Sequence, residues 1–258
     1  MLPSPPPPWH LALSPRIIPT VKAAREVGCR CSPHPSSLWA GLPSAPVHTR
    51  VVFLLKEPEV HDMASGAAGA SLPSMLGVWT RTTGVFVKAR AEYVADHAST
   101  HPVKFDETLE RWRAQGVALL HVAMTSTSDQ DFEEHRTLWD GAALHLIDQV
   151  LQRRPRAKDA FADDVFGVEG SLIGLEAPPA CVLVTMGYAA AQEIERETGL
   201  SDERAAAVRF TVASALACGD DFPPTAKGHK DTKPALTGNT LHAINEALQG
   251  MGVEPIQW

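Results

Sequence analysis

Cysteine is scarce in this 258-residue chain: four in all, with Cys29 and Cys31 near the start and only Cys181 and Cys218 in the remainder. Two widely spaced cysteines make no disulfide framework, which points to a reducing compartment. Cys29-x-Cys31 lacks the second pair or spaced histidines that a structural metal site requires. Long apolar runs are missing too. Val117–Met124 and Ala180–Met186 are the longest candidates, far short of the ~20 residues that span a bilayer. A membrane-spanning role is therefore not expected. Catalytic signatures are equally sparse. There is no Gly-x-Ser-x-Gly elbow, no phosphate-binding P-loop and no Gly-x-Gly-x-x-Gly after a strand. Gly228-His229-Lys230 lacks the upstream glycines of a P-loop. No motif along the chain identifies a family.

Positive charge is short in most of the chain. Net charge is −7, but it is unevenly spread. Residues 1–62 hold six bases and four acids, while residues 63–258 hold 17 bases and 26 acids. A body of net −9 argues against general nucleic-acid binding, which needs a positive footprint, and against docking on anionic membranes.

Proline marks the same boundary, with 12 of 21 residues inside positions 1–62. Proline fixes φ and removes a backbone donor, so the opening Pro3-Ser-Pro5-Pro-Pro-Pro8 run is polyproline-like or disordered. The segment lacks the apolar stretch of a secretory signal. Up to Lys56 it is acid-poor and contains Ser and Arg, which suits an organellar transit peptide. Met63-Ala-Ser-Gly also resembles a natural protein start, so residues 1–62 read either as a leader or as sequence upstream of a start at Met63. A translated leader predicts a mitochondrial or plastid protein; otherwise the expectation is cytoplasmic. The expected organisation is a leader over 1–62, a flexible linker over 63–75 and one domain over 76–258.

Within that domain a period near 3.6 dominates. Leu76, Trp79, Phe86, Ala89, Tyr93 and His97 can share one helical face before Pro102. Asp106 is placed to cap a second helix carrying Leu109, Trp112, Val117, Leu120 and Met124. Phe132, His135, Leu138, Trp139, Ala142, Leu146, Val150 and Leu151 give the clearest third helix. Further helices are expected from Pro178-Pro179 to Thr198, from Ser201 to Cys218, and from an Asn239 cap to Gly250. The expected fold is an all-α bundle of about six helices. The competing reading takes 117–124 and 180–186 as buried strands of an α/β sheet, because periodicity cannot separate short apolar runs.

Histidine supplies the candidate chemistry. His121, His135 and His145 fall on the expected second and third helices and can line a pocket for a metal, haem or pigment. His97 and His101 stand at i, i+4, a metal-ligand spacing, close to a helix end where histidine is also favoured by the dipole. A carboxylate-bridged di-metal site wants two Glu-x-x-His copies, and Glu133-Glu134-His135 has the wrong spacing. The loop 220–237 gathers Lys227, His229, Lys230 and Lys233 in an acidic domain, a candidate clamp for an anion. Cys181 reads as a packed core thiol, or as a reactive one if it ends a strand. Trp79, Trp112 and Trp139 read as core. Taken together these features predict a non-catalytic accessory or assembly subunit of a larger organellar complex, with a protein partner or self-association and no nucleic acid. The alternative is a helical enzyme or ligand-binding protein with a histidine-lined pocket.

Overall fold

The computed structural model describes residues 19, 31–32, 41–44, 48–57, 81–96, 110–127, 132–152, 181–196, 208–212 and 236–258. Its centre is a parallel sheet, so the chain is α/β and the expected all-α bundle is corrected. In chain order the strands are β1 (Cys31–Ser32), β2 (Val51–Leu55), β3 (Val117–His121), β4 (Ser126–Thr127), β5 (Val182–Met186) and β6 (Val208–Val212). The main sheet has the order β3-β2-β5-β6, every pair parallel. β1 and β4 form a separate antiparallel pair. The helices are α1 (Arg81–Asp96), α2 (Glu110–Ala114), α3 (Phe132–Arg136) with a 3-10 turn over Thr137–Trp139, α4 (Ala142–Gln152), α5 (Tyr188–Arg196) and α6 (Gly238–Gly250).

The misreading has a physical origin. A parallel sheet covered on both faces needs apolar residues on both sides of each strand, so its strands read as unbroken apolar runs without alternation. All five positions of β2, of β3 and of β5 are buried. Such runs fit a helical face as easily as a strand. The competing reading of buried strands within 117–124 and 180–186 is the one the structure has, with the strands limited to Val117–His121 and Val182–Met186.

The expected helices are cut accordingly. The second is broken at Gly116 between α2 and β3, and the third at Gly141 between the 3-10 turn and α4. The fourth is divided between β5 and α5, and the fifth contains β6. Only the sixth survives nearly intact, with Thr237 rather than Asn239 as its cap. The Thr237 hydroxyl accepts from the Thr240 amide while the Thr240 side chain accepts from the Thr237 amide, a reciprocal capping box.

The leader boundary also needs correction. Residues 1–62 were set apart from the fold by proline and charge, yet they contain β2, which pairs with both β3 and β5. Gly41 accepts a backbone bond from Leu119 at 2.9 Å, and Leu42 is buried against the same sheet. This stretch lies along β3, the strand at one end of the sheet order, where an uncovered strand invites mispairing. A chain beginning at Met63 lacks this strand. The linker over 63–75 lies outside the described residues.

Alternation along each strand separates two cores. Val51, Phe53 and Leu55, with Val117, Leu119, Val182, Val184 and Met186, face α1, α2, α6 and the C-terminal tail. Val52 and Leu54, with Ala118, Leu120 and Leu183, face α4 and α5. On the first face Phe53, Phe86, Trp112 and Trp258 form a chain of edge-on ring contacts with centroids 5.1 to 6.3 Å apart. Trp112 and Trp139 are thus core residues; Trp79 lies outside the described residues. The tail is held by Asn245, whose amide donates to the Ile256 carbonyl at 2.9 Å and accepts from its N–H at 2.8 Å. α6 approaches α1 so closely that a Cβ on Gly238 meets the Tyr93 amide nitrogen at 2.5 Å, so glycine is required there. Among the described residues no helix is long and apolar enough to cross a membrane.

Candidate functional site

In an open parallel sheet, ligands bind beyond the carboxyl ends of the strands, where successive connections leave to opposite sides. Here β2 leads on to β3 on one side, whereas β5 leads on to β6 on the other. The switch point therefore lies beyond Leu55 and Met186. The residues that leave the sheet there are Lys56 and Glu57 after β2, Val122 to Thr125 after β3, and Gly187 after β5.

Register fixes their proximity. Leu55 pairs with His121, so His121 is the last residue of β3 beside the exit of β2. The ladder continues past both strands: Val122 N–H donates to the Leu55 carbonyl at 2.8 Å, and Ala123 N–H to the Lys56 carbonyl at 3.1 Å. The Lys56–Glu57 backbone is thereby held against the exit of β3. Gly187 turns at φ 89°, a conformation that costs glycine little, and its carbonyl accepts from the Ala191 amide in the first turn of α5. That helix starts at the carboxyl edge with its positive dipole end, an environment that favours anions.

The titratable groups at this edge differ sharply. Glu57 keeps 19% of its side chain exposed, and its Oε1 lies 3.7 Å from Lys56 Nζ. His121 is buried, and loss of hydration pushes its pKa down to about 4, so its ring is neutral near pH 7. A neutral imidazole has one N–H donor and one acceptor nitrogen. The buried Nδ1 has no hydrogen-bond partner among the described residues. Buried polar atoms are almost always paired, and the Nδ1 of His135 is likewise buried without a hydrogen-bond partner among the described residues.

Behind this edge sits a polar cluster. The Thr125 hydroxyl accepts from Trp139 Nε1 at 2.9 Å and lies 2.8 Å from His135 Nε2. All three residues are buried, and desolvation pushes the His135 pKa below its usual value. One residue along α3, Arg136 reaches the buried Glu193 of α5 at 3.3 Å, and Glu133 at 3.1 Å. The short helix α3 thus ties the exit loop of β3 to the helix that follows β5.

Of the sequence candidates, His121 ends β3 and His135 is bonded to Thr125 in the loop that follows it. His145 does not join them by any bond that the structure places; it stands half-buried on α4, between core residues Leu144 and Leu146. Lys227, His229, Lys230, His97 and His101 lie outside the described residues, and among the described residues no three His, Cys, Asp or Glu side chains cluster as a metal site would need. Cys181 is buried immediately before β5, at its amino end, away from the carboxyl edge. Glu57 and Lys56 were missed because they fell inside the segment set aside as a leader. The available signal was Val51-Val-Phe-Leu-Leu55, an apolar run followed at once by two charges.

No protein-family model matches the sequence, and no curated protein sequence matches it. Solved structures do. The fold is similar to that of mimivirus uracil-DNA glycosylase. That likeness has a TM-score of 0.57 at 16% identity, covering 95% of this chain and 81% of the viral one. Two mimivirus UNG variants, tyrosine to leucine and tyrosine to phenylalanine, were each solved in complex with UGI. They give 0.58 at 18% and 0.59 at 16%, covering 95% of this chain and 82% of theirs. At such identities the likeness establishes the α/β fold alone.

It nevertheless overturns two expectations. The expected non-catalytic organellar subunit rests on missing nucleotide and hydrolase motifs, and it is corrected by the solved structures of this fold, which are of a uracil-DNA glycosylase. With it goes the transit-peptide reading as a guide to function. Exclusion of nucleic acid was drawn from net charge, a whole-molecule sum that says nothing about one sheet edge. A fold shared with a DNA glycosylase removes that exclusion.

Proposed function

We propose that this protein is a DNA glycosylase: a hydrolase that breaks the N-glycosidic bond of a nucleotide turned out of the DNA stack. The observation that carries the reading is the placement of Glu57, two residues past the cross-strand partner of a neutral, buried His121, at the switch point of a sheet similar to that of mimivirus uracil-DNA glycosylase. Enzymes that act on a base in DNA extrude it into a pocket and read its edge by hydrogen bonds. A buried neutral imidazole suits that role, since it pairs with an uncharged base edge and adds no charge of its own. The Nδ1 left unpartnered among the described residues is available for the base.

As the glycosidic bond stretches, positive charge builds on the sugar. A carboxylate aimed at a sugar cation lowers such a barrier, and in a water-poor site its effect is large. Glu57 supplies that carboxylate and can orient the attacking water. The amino end of α5 is placed to favour a backbone phosphate.

The test is direct. The full chain is incubated with oligonucleotides carrying one uracil or another deaminated base, and free base and abasic sites are measured. Release of base is expected, with Glu57→Gln slower by about 10²-fold or more. If no modified base is released, or if Glu57→Gln matches the parent rate, the reading is wrong.

A further inference from the structure

We propose that Arg136 and Glu193 are positioning residues for base release: their buried ion pair braces the two strand exits that flank Glu57. The inference rests on the glycosylase reading above. Glu193 stands at a core position. It lies on α5 between Ala190 and Ile194, which pack into the aliphatic core, and its side chain is only 5% exposed. A carboxylate is almost never buried in such a place unless it is paired. Arg136 of α3, its side chain 11% exposed, meets it at 3.3 Å through Nη1. The guanidinium is itself aimed. Its Nε donates to Glu133 at 3.1 Å, and the planar fork then turns Nη1 to α5.

Two consecutive residues of α3 thereby hold two different exits. His135 is bonded at 2.8 Å to Thr125, in the segment that leaves β3. Arg136 holds α5, which begins at Tyr188, two residues past the end of β5. β3 and β5 are the neighbours of β2 on its two sides, and Glu57 follows β2. The gap between their exits therefore sets the room beside that carboxylate. For stability alone an ion pair is a poor choice, since apolar residues of similar volume in its place are often neutral or stabilising. What the pair adds is direction. A fork and a carboxylate fit at one separation and one orientation, whereas aliphatic side chains can slide past each other. Reacting groups are sensitive to such slack, with a displacement of about 1 Å costing up to about 10²-fold in rate.

The experiment uses the full chain and a uracil oligonucleotide. Arg136→Met combined with Glu193→Leu replaces both charges by apolar side chains of similar size. The melting temperature of this double variant should match or exceed the parent's. Its kcat for base release should nevertheless fall by about 10-fold, with KM changed by less than about twofold. Backbone hydrogen exchange, followed by mass spectrometry, should quicken over 122–127 and 187–191 and stay at the parent's rate over β2. Glu193→Gln keeps an acceptor in the same place, so it should release base at close to the parent rate. A folded double variant with the parent kcat overturns the brace and leaves the glycosylase reading standing. If the double variant does not fold, Arg136→Lys decides: it keeps the charge but loses the fork, and a parent kcat there overturns the brace. If the parent itself releases no base, the glycosylase reading falls and the brace falls with it.

Discussion

The two faces of the sheet are built differently. One is closed by aromatic rings: Phe53, Phe86, Trp112 and Trp258 pack edge to face, and the C-terminal tail is held there through Asn245 and through the Trp258 indole, which donates to the Leu241 carbonyl at 3.1 Å. The other is aliphatic, but near the carboxyl edge it carries Thr125, His135, Trp139 and the Arg136–Glu193 pair. Ring contacts and apolar burial stabilise without asking for one geometry at the site. Buried hydrogen bonds are modest in net energy but strict in direction. The aromatic face thus anchors the sheet, and the polar end of the opposite face sets where the β3 exit points.

The strongest way to break this comparison is to remove what both faces share. A fragment of residues 63–258 lacks β2, which contributes side chains to both cores. It should show no cooperative thermal transition by circular dichroism, whereas the full chain should show one. On the aromatic face alone, Trp258→Ala deletes a ring that touches Phe53 and Trp112, and a loss of about 3–5 kcal/mol in denaturant unfolding is expected.

At the carboxyl edge the sign of a pH effect is set by His121. Its folded pKa is about 4 against 6.5 for the ordinary group, so below pH 6.5 the unfolded chain binds the proton first. Stability tied to this residue is therefore complete above pH 6.5 and is lost as pH falls toward 4, by about 3 kcal/mol over that window. His121→Gln should flatten that part of the stability–pH curve relative to the parent; parallel curves would contradict the burial argument. The smallest effect sharpens the contrast most. Thr125→Val leaves the Trp139 N–H and the His135 ring without their shared hydroxyl, costing about 1–3 kcal/mol. If this cluster positions the site, base release should fall in kcat more than it changes KM, and Thr125→Ser should restore it.

Much of the fold was legible only as an ambiguity. Val117–Met124 and Ala180–Met186 are visible as apolar runs, but burial on both faces of the strands within them removes the alternation that marks a strand. Val51–Leu55 was hidden by its neighbours, because composition averaged over 62 residues assigned it to the leader. α6 was readable because its end signals are local: the expected helix from an Asn239 cap to Gly250 lies within the observed Gly238–Gly250, with only the cap moved to Thr237. For the site, His121 and His135 were singled out as histidines on helical faces. They matter instead as a strand end and a buried anchor, and Glu57, two residues beyond His121's cross-strand partner, was not connected to them.

The sequence by itself determined what is local: the apolar segments, the helix stop and cap signals, the scarcity of cysteine and the charge imbalance. Only the tertiary structure decided which apolar segments pair, because strand pairing joins residues such as Leu55 and His121 that stand far apart in the chain. The site exists only through that pairing. A carboxylate after one strand and an imidazole ending another become neighbours when parallel register brings both exits to the same edge.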